Sequence, residues 1–387
     1  MALASAGARL HFGFCNLSLS HERLYGALGL ALAEPRVTVE ATPADSTSVT
    51  VESDALSGAE GSGADAVRGD ARDAVRAGVH DEIRADVGEY AATAVDLLDV
   101  PGATVAVRAS LPRHAGLGSG TQLAATTLAV IARAHGRDPE VRERAPALGR
   151  GGRSGVGVAA FEAGGFVLDA GHPTARFTTD RPADGEWAVP PVAARHDVPD
   201  DWRFLLVRPD AEPGRNGESE DASMRAAVER AEPGLADRIA GIVTRRVLPA
   251  VAAGRAEAFG AAVASVGRLN GAWYADEQGG VYRPPVGDVV ASLSASPAVF
   301  GAGQSSWGPA VYGVTDADRA DAAREAGERA LEAAGVDGSV AVVRAANEGA
   351  RVRAGAGDVD DPDDVAGDPD DRDDPDGLDC DPDEGQH

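Results

Sequence analysis

The chain of 387 residues contains no lysine, so its 36 basic residues are all arginine, and 62 acidic residues oppose them. Residues 358–387 hold 15 acidic residues and the single Arg372, a net charge of −14 out of the total of −26, so the remaining residues carry −12. An acidic surface stays hydrated and dispersed in concentrated salt, where charge repulsion is screened. We therefore expect a cytoplasmic protein of a halophile. The lack of a basic patch argues against nucleic-acid binding.

Cysteines, aromatic residues and long apolar runs are also scarce. The two cysteines, Cys15 and Cys380, lie far apart, and no C-x-x-C spacing occurs, which argues against a structural disulfide or a cysteine metal site. No stretch of 18 apolar residues and no signal-peptide pattern occurs, so we expect a soluble intracellular protein without a membrane partner. With 4% aromatic residues, the core must consist mainly of Ala, Val and Leu. The length predicts one large domain or two of medium size.

What the chain does have is glycine in three short segments. The first, LPRHAGLGSGTQ (111–122), lies between a strand-like run (103–110) and a helix-like run (123–136). Gly116, Gly118 and Gly120 are expected to let the backbone approach a ligand and to take up positive φ, and loop N–H groups next to a helix N-terminus attract a phosphate. The loop lacks the Gly-Lys-Ser/Thr of a Walker A motif, and an ordinary strand-to-helix connector is the alternative interpretation. The predicted phosphate-binding residues are Gly116, Leu117, Gly118, Ser119, Gly120, Thr121 and Gln122.

The other two glycine-rich segments, GRGGRSGVG (149–157) and GAGQSSWG (301–308), favour a ligand with more than one phosphate or charged group. Arg150 and Arg153 have the geometry to bind a phosphate or a carboxylate bidentately, although they are equally typical of solvated loop charges. The predicted substrate-binding residues in these two segments are Arg150, Gly151, Gly152, Arg153, Ser154, Gly303, Gln304 and Ser305.

Three further side chains are candidates for catalysis. Asp169 and His172, in LDAGH, offer a carboxylate that stabilises positive charge and an imidazole that moves a proton, although the same residues favour a simple turn. Arg23 is the candidate cation of the N-terminal region. Glu218 and Glu220 either hold Mg²⁺ or cap a helix that starts near Ser219, and the metal ligands stay unassigned.

The pattern of apolar residues predicts mixed helices and strands. Two short strands are expected around a turn in 8–32, and a strand pair in 159–173 with Gly164 and Gly165 at its turn. Beyond about residue 355 the acidic repeats cannot bury apolar surface, and we expect disorder in 355–387. The β character is expected to continue at 37–41 and 48–53, and the segment 298–314 is expected to be a strand–loop–strand or a strand–loop–helix unit. Further strands are expected at 202–209 and 339–345, helices at 78–98, 219–232, 234–253, 255–270 and 316–335, and a connector at 173–200.

The motifs together resemble a known family. GLGSGTQ (116–122) and GAGQSSWGPAVYG (301–313) resemble motifs of the GHMP kinase superfamily. The details resemble best a member that is not a kinase, beta-ribofuranosylaminobenzene 5'-phosphate synthase. The matching pieces are RLHFGF (9–14), RLYG (23–26), GLGSGTQ, the run GRGGRSGVGVAAFEAGGFVLDAGH (149–172) and FGAGQSSWGP (300–309).

The resemblance implies an α+β, GHMP-kinase-like, two-domain fold, with an N-terminal domain like ribosomal protein S5 domain 2 over 1–195 and a ferredoxin-like C-terminal domain over 196–350. It implies condensation of phosphoribosyl pyrophosphate with 4-hydroxybenzoate or 4-aminobenzoate, with release of CO2 and pyrophosphate, in the biosynthesis of methanopterin-type cofactors. It also implies Mg²⁺ and a possible homodimer.

Two alternatives remain open at this point. An ATP-dependent small-molecule kinase of the same superfamily would carry the same 116–122 loop, although its Gly-Thr-Gln ending and the 149–172 run are unlike the kinases. A ligand-binding or scaffold protein is the second alternative. It rests on Cys15-Asn16-Leu17, because we expect relatives to carry an acidic residue at this position.

Overall fold

The computed structural model describes residues 1–53, 55, 69–180, 182–212, 214 and 217–354, without the side chains of 69–76 and 218. Residues 1–354 form one compact unit. The boundary expected near residue 195 therefore stays a prediction, and the acidic tail expected to be disordered (355–387) lies outside the described residues. Within the described part of the chain, no helix is long and apolar enough to cross a membrane.

The first sheet contains two long antiparallel strands at its centre. Strand β2 pairs with β1, β4, β5 and β6, β1 pairs also with β12, and β3 adds to β4 as a parallel edge strand. Strand β7 extends the sheet beside β5. The strands are β1 (Ala2–Asn16), β2 (Arg23–Pro43), β3 (Ser48–Val51), β4 (Ala103–Ala109), β5 (Phe166–Asp169), β6 (His172–Pro173), β7 (Val192–His196) and β12 (Arg351–Ala354).

The second sheet is antiparallel, in the order β11-β8-β10-β9. Its central strand β8 reads WRFLLVRP, and most of its side chains are buried. The strand–loop–strand unit predicted around residues 298–314 is present as β9 and β10. The strands are β8 (Trp202–Pro209), β9 (Gly301–Gln304), β10 (Val311–Asp316) and β11 (Gly338–Val343).

The helices cover both sheets. Helix α2 packs on β1 and β2, and α8 lies between β1 and the β9–β10 pair. A 3₁₀ turn (Ala145–Leu148) follows α3, and a π turn (Val243–Val247) joins α6 to α7. The helices are α1 (Gly69–Leu98), α2 (Ser119–Ala134), α3 (Val141–Arg144), α4 (Val156–Ala163), α5 (Gly217–Arg230), α6 (Pro233–Ile242), α7 (Leu248–Ala252), α8 (Ala256–Trp273), α9 (Ala275–Gln278), α10 (Val286–Ser294) and α11 (Ala320–Ala334).

Five aromatic side chains pack together where the two sheets meet. Phe12 of β1 packs edge-to-face on Phe259 of α8, with ring centroids 5.8 Å apart, and on Tyr312 of β10 at 4.9 Å. Phe166 and Trp202 also contact Phe259. Such pairs add about 0.5–1.5 kcal/mol each beyond the burial of their surface. The contact therefore fixes β1, which carries part of the site, against the second sheet.

Several predicted elements differ from the structure. The two strands expected to be short are 15 and 21 residues long, and the run expected to continue the β character at 37–41 is the end of β2. Their small residues allow close pairing, with irregularities in register at Gly7/Arg9 and His11/Gly13. The strand pair expected in 159–173 begins instead as helix α4, because the apolar, alanine-containing run VGVAAFEA can bury a helical face. Gly164 and Gly165, expected in a hairpin turn, end that helix with positive φ. The connector expected at 173–200 contains β7.

Candidate active site

The glycine-rich loop 111–118 connects β4 to α2 and lies on β1. Gly116 has a φ of +83°, and a Cβ atom there would lie 2.1 Å from the carbonyl oxygen of Ser305. Gly118 has a φ of +80° and stands against the side chain of Arg9. Arg9 also donates from Nη1 to the Gly116 carbonyl at 2.8 Å. Any other residue at 116 or 118 would strain the backbone and collide with these neighbours.

The first turn of α2 presents its backbone N–H groups without a side-chain cap. Helix α2 starts after Gly118, and neither Ser119 nor Thr121 caps it. The unpaired N–H groups and the helix dipole together favour an anion at this end. Gly120 was expected to take a positive φ, which is wrong, because it lies inside the helix with an ordinary conformation. Its lack of a side chain matters for a different reason, the close approach of Arg150.

The three glycine-rich segments meet at this helix end. A Cβ atom on Gly120 would lie 3.0 Å from Nη1 of Arg150 in the second segment. Gln122 donates from Nε2 to the Gly157 carbonyl at 2.9 Å. From the third segment, the Ser305 hydroxyl donates to the Gly116 carbonyl at 2.7 Å. Segments that are far apart in sequence thus surround one site, as a ligand with several charged groups would require.

The two arginines of the second segment have different surroundings. Arg150 lies over the ring of Tyr90 with its guanidinium carbon 5.1 Å from the centroid, and donates to the Tyr90 hydroxyl. Its Nε is buried without a hydrogen-bond partner among the described residues. Arg153 instead forms ion pairs with Glu220 at 2.9 Å and with Asp221. Arg150 is therefore the cation of this segment that is not neutralised by an acidic partner among the described residues.

Asp169 is buried and fully hydrogen-bonded. Its Oδ2 accepts from the backbone N–H of Gly155 at 2.8 Å and from the Ser154 hydroxyl at 3.2 Å, and its Oδ1 accepts from the N–H of Gly171 at 2.9 Å. Burial raises its pKa to about 6, and these hydrogen bonds oppose the rise. The carboxylate therefore joins the second glycine-rich segment to the turn after β5.

His172 lies on the same turn and is also buried. It stacks on Phe177 with ring centroids 3.7 Å apart, and its Nε2 donates to the Gly151 carbonyl at 3.0 Å. Burial lowers its pKa to about 4, so the imidazole is neutral at pH 7. Arg23 donates to the carbonyls of Ala170 and Gly171, each at 2.5 Å. The three candidates for catalysis thus come together around residues 169–172, and their proposed roles stay predictions.

The predicted substrate residues of the remaining positions are mostly buried. Ser305 accepts from the backbone N–H of His11 at 3.1 Å, which fixes the third segment on β1. Gln304 donates to the Ser306 carbonyl at 3.0 Å. Gly152 is buried, and Gly303 packs against Tyr312. Leu117 is buried, and its carbonyl accepts from the Arg9 N–H at 3.0 Å.

Sequence reasoning missed two parts of this site. Arg9 reaches the loop from β1, and burial lowers its pKa to about 10 while Glu220 acts in the opposite direction. The only sequence signal was an arginine in an apolar strand. The ion pairs of Arg153 with α5 were also missed, since Arg153 and Glu220 lie 67 positions apart in sequence. Asn16, where an acidic residue was expected, donates from Nδ2 to the carbonyls of Ser18 and Arg23, which a carboxylate cannot do.

No group of three or more His, Cys, Asp or Glu side chains is arranged to hold a metal within the described residues. Magnesium usually keeps several waters and takes one or two protein carboxylates together with substrate phosphates. Burial lowers the pKa of Arg9 and of His114, and the negative charge of Glu220 opposes this shift in both. Glu220 is therefore a carboxylate beside the site, while the side chain of Glu218 lies outside the described part.

Comparison with known families identifies the class of protein. The family described as the GHMP kinases N terminal domain matches residues 84–165, and the family described as GHMP kinases C terminal matches residues 247–333. The first match covers the glycine-rich loop and α2. The two matches show that the chain is similar to the GHMP kinase superfamily, and they confirm the expected α+β fold.

Three curated relatives that share one name are similar to this chain over more than half of its length. Beta-ribofuranosylphenol 5'-phosphate synthase of Methanothermobacter thermautotrophicus is 38% identical over 213 residues, which span 54% of this chain and 63% of that protein. The proteins of the same name from Methanocaldococcus jannaschii and Archaeoglobus fulgidus are 27% and 28% identical over 80% of this chain, and the alignments span 88% and 87% of their lengths. Within the superfamily, this chain is similar to these synthases.

Solved structures agree with this fold. Galactokinase of Lactococcus lactis has a TM-score of 0.61 at 11% identity, with 90% of this chain and 94% of that chain covered. Phosphomevalonate kinase of Streptococcus pneumoniae has a TM-score of 0.59 at 13% identity, with 89% and 99% covered. At such identities the likeness concerns the fold alone.

Proposed function

We propose that the protein is a phosphoribosyl-transferring synthase, which condenses phosphoribosyl pyrophosphate with 4-hydroxybenzoate or 4-aminobenzoate. The bond between ribose C1 and the pyrophosphate oxygen breaks, and pyrophosphate leaves. A new bond forms between C1 and the ring carbon that carries the carboxylate, and that carboxylate leaves as CO2. The observation that carries the proposal is the meeting of three glycine-rich segments at the uncapped end of α2, in a chain similar to synthases of this name.

The residues around α2 supply the anion binding that this reaction requires. The first-turn N–H groups of α2 and the guanidinium of Arg150 face one helix end, and Arg9 supports the loop from below. Donors that are already oriented stabilise the charge on the departing pyrophosphate without reorganisation. Arg150 is suited to this task because its fork of donors matches a phosphate.

Asp169, His172 and Arg23 act in this proposal by positioning the second segment. Asp169 holds Ser154 and Gly155, His172 holds Gly151, and Arg23 holds the turn that carries both. Arg150 and Arg153 belong to the segment that they position. Asp169 also contacts the positive charge that develops at C1. This role requires an ionised carboxylate, and with a pKa of about 6 the carboxylate is ionised above pH 6.

We further propose that Mg²⁺ accompanies the pyrophosphate group and that Glu220 is its carboxylate ligand. Bound there, the ion neutralises charge on the leaving group. Glu220 would then exchange part of its ion pair with Arg153 for the metal. The cytoplasm of a halophile as the setting, and a homodimer as the assembly, belong to the same proposal.

A small-molecule kinase is the competing function, and the glycine-rich loop by itself supports it. The relatives' names favour the synthase. Ligand-induced thermal stabilisation in molar KCl separates the two functions, because a ligand that binds the folded state raises its melting temperature. We expect stabilisation by phosphoribosyl pyrophosphate with Mg²⁺ and none by ATP with Mg²⁺ at equal concentrations. Stabilisation by ATP alone would reverse the assignment.

A further inference from the structure

A cavity opens on β1 near the glycine-rich loop. It is a cleft between β1, α8, α9 and the segment 304–307, with about 460 Å³ of empty space that is open to solvent. We call it the aromatic cleft. Its aromatic lining side chains are His11, Phe12, Phe14, Tyr274, Tyr282 and Trp307.

Two pairs of aromatic side chains line the aromatic cleft. His11 and Phe14 lie edge-to-face with ring centroids 5.0 Å apart. Tyr274 and Trp307 have tilted rings with centroids 4.7 Å apart. Aromatic side chains attract a further ring through stacked and edge-to-face contacts. In a chain with only 4% aromatic residues, their concentration at one opening favours an aromatic ligand.

None of the residues that line the cleft carries a charge at pH 7. The polar members are His11, Asn270, Gln278, Gln304 and Ser306, and burial, followed by the nearby Arg9, lowers the pKa of His11 to about 3. The cations Arg9 and Arg150 lie instead at the loop. The cleft therefore suits an uncharged part of a ligand, and a charged part would remain at the loop.

One buried polar atom in the cleft has no partner. His11 is 5% exposed, and its Nδ1 forms no hydrogen bond among the described residues. An unsatisfied buried nitrogen of this kind costs about 1–3 kcal/mol. A hydroxyl or amino group on a bound ring would supply the missing hydrogen bond.

Ser305 connects the cleft to the glycine-rich loop. Ser305 is fully buried, contacts the His11 N–H on one side and donates to the Gly116 carbonyl on the other. A ring in the cleft would thus be adjacent to a ligand held at the helix end. This adjacency is what a reaction between an aromatic ring and a phosphorylated sugar requires.

We propose that the aromatic cleft is the binding site for the aromatic acceptor, with the ring between Phe14, Tyr282 and Trp307, its para hydroxyl or amino group hydrogen-bonded to His11, and its carboxylate toward the glycine-rich loop. The proposal rests on the proposed function for the identity of the ligand.

The test compares aromatic and phosphate ligands in matched variants. The Kd of 4-hydroxybenzoate and the Kd of phosphoribosyl pyrophosphate are measured by titration calorimetry in molar KCl, with release of labelled CO2 assayed in parallel. Trp307→Leu and Tyr282→Leu each remove one wall. The control is Phe300→Leu, because Phe300 is also half-buried but packs against Arg319 away from the cleft.

We expect each cleft variant to weaken 4-hydroxybenzoate at least tenfold and to leave phosphoribosyl pyrophosphate within twofold, with both ligands within twofold in the control. Wild-type protein should also bind 4-hydroxybenzoate about tenfold more tightly than benzoate, and His11→Leu should abolish that difference. The use of two cleft variants with measured melting temperatures keeps the result interpretable if one of them fails to fold.

The possible failures are distinguishable. Unchanged affinity for 4-hydroxybenzoate in both cleft variants, while wild-type protein releases CO2, would overturn the cleft and leave the proposed function standing. Cleft-dependent binding of 4-hydroxybenzoate without CO2 release would support the cleft and overturn the proposed function. A wild-type protein that binds neither 4-hydroxybenzoate nor 4-aminobenzoate would overturn both the cleft and the proposed function.

Discussion

The guanidinium of Arg150 lies directly against Gly120 in the first turn of α2, 3.0 Å from the position that a Cβ atom would occupy. This contact brings a cation to the end of a helix whose N–H groups have no side-chain cap. It joins the first and the second glycine-rich segments at the proposed anion site.

Replacing Arg150 should weaken phosphate binding. Arg150→Gln is expected to raise the KM for phosphoribosyl pyrophosphate at least tenfold, because a hydrogen bond to a charged group contributes about 1.5–3 kcal/mol. The KM for the aromatic acid should change less. Arg108→Gln is the matched control, since Arg108 pairs with Glu40 on an exposed face of the sheet. Equal KM values in Arg150→Gln and the control would refute this role.

Removing Arg153 alone should destabilise the protein more than removing Arg153 together with its two acidic partners. Arg153→Met leaves the two acidic partners, Glu220 and Asp221, beside each other without a cation. We expect a lower melting temperature, because an unpaired charge in a partly buried site is costly. Arg153→Met combined with Glu220→Gln and Asp221→Asn should recover part of the loss. A triple variant that is no more stable than Arg153→Met would contradict the proposed electrostatic cause.

Asp169 should act first on the architecture of the site. Asp169→Asn places an NH2 group where the carboxylate accepts from Gly155, Ser154 and Gly171. The expected loss is about 1–3 kcal/mol in the free energy of unfolding, measured in urea. Ser154→Ala, which removes one of the three donors, should lose less. An Asp169→Asn protein with wild-type stability and no activity would indicate a direct catalytic role instead.

His172 should make stability fall in acid. Its pKa is about 4 in the folded protein, below its ordinary value of 6.5, so between these values the unfolded chain binds a proton that the folded protein does not. This contribution is complete above about pH 6.5 and is lost toward pH 4, with a slope of up to about 1.4 kcal/mol per pH unit. Asp169, whose pKa is raised to about 6, opposes the trend, because its contribution is lost as pH rises through 6.

Unfolding curves of wild type and His172→Gln from pH 4.5 to 7.5 isolate the histidine contribution. The variant should show a flatter decline of stability in acid than the wild type. His11, whose pKa is lowered to about 3, leaves a similar slope in both proteins. Parallel profiles for the two proteins would contradict the neutral, buried state of His172.

The sequence predicted the loop, the helix after it and the strand–loop–strand unit, because glycine spacing and apolar periodicity are local signals. It misjudged 156–163, since a short apolar run is compatible with either a helix or a buried strand. Burial decided the outcome there. Val156 packs against Gly29 of β2, a contact across more than a hundred residues.

The site was predictable as a set of segments and not as a set of contacts. The meeting of Gly116 with Ser305 and of Gly120 with Arg150 arises from the packing of the two sheets, which no local pattern encodes. The same holds for the aromatic cleft. Trp307 belongs to the third glycine-rich segment, whose glycines are its main sequence signal. Tyr274 and Tyr282 lie in runs without a motif.

The release of labelled CO2 tests the central claim most directly. The protein is incubated with carboxyl-labelled 4-hydroxybenzoate or 4-aminobenzoate, phosphoribosyl pyrophosphate and Mg²⁺ in molar KCl, and CO2 and pyrophosphate are both quantified. The proposed reaction predicts one CO2 for each pyrophosphate released, with no CO2 when phosphoribosyl pyrophosphate is replaced by ATP. Pyrophosphate without CO2, or no product from either acid, would contradict it.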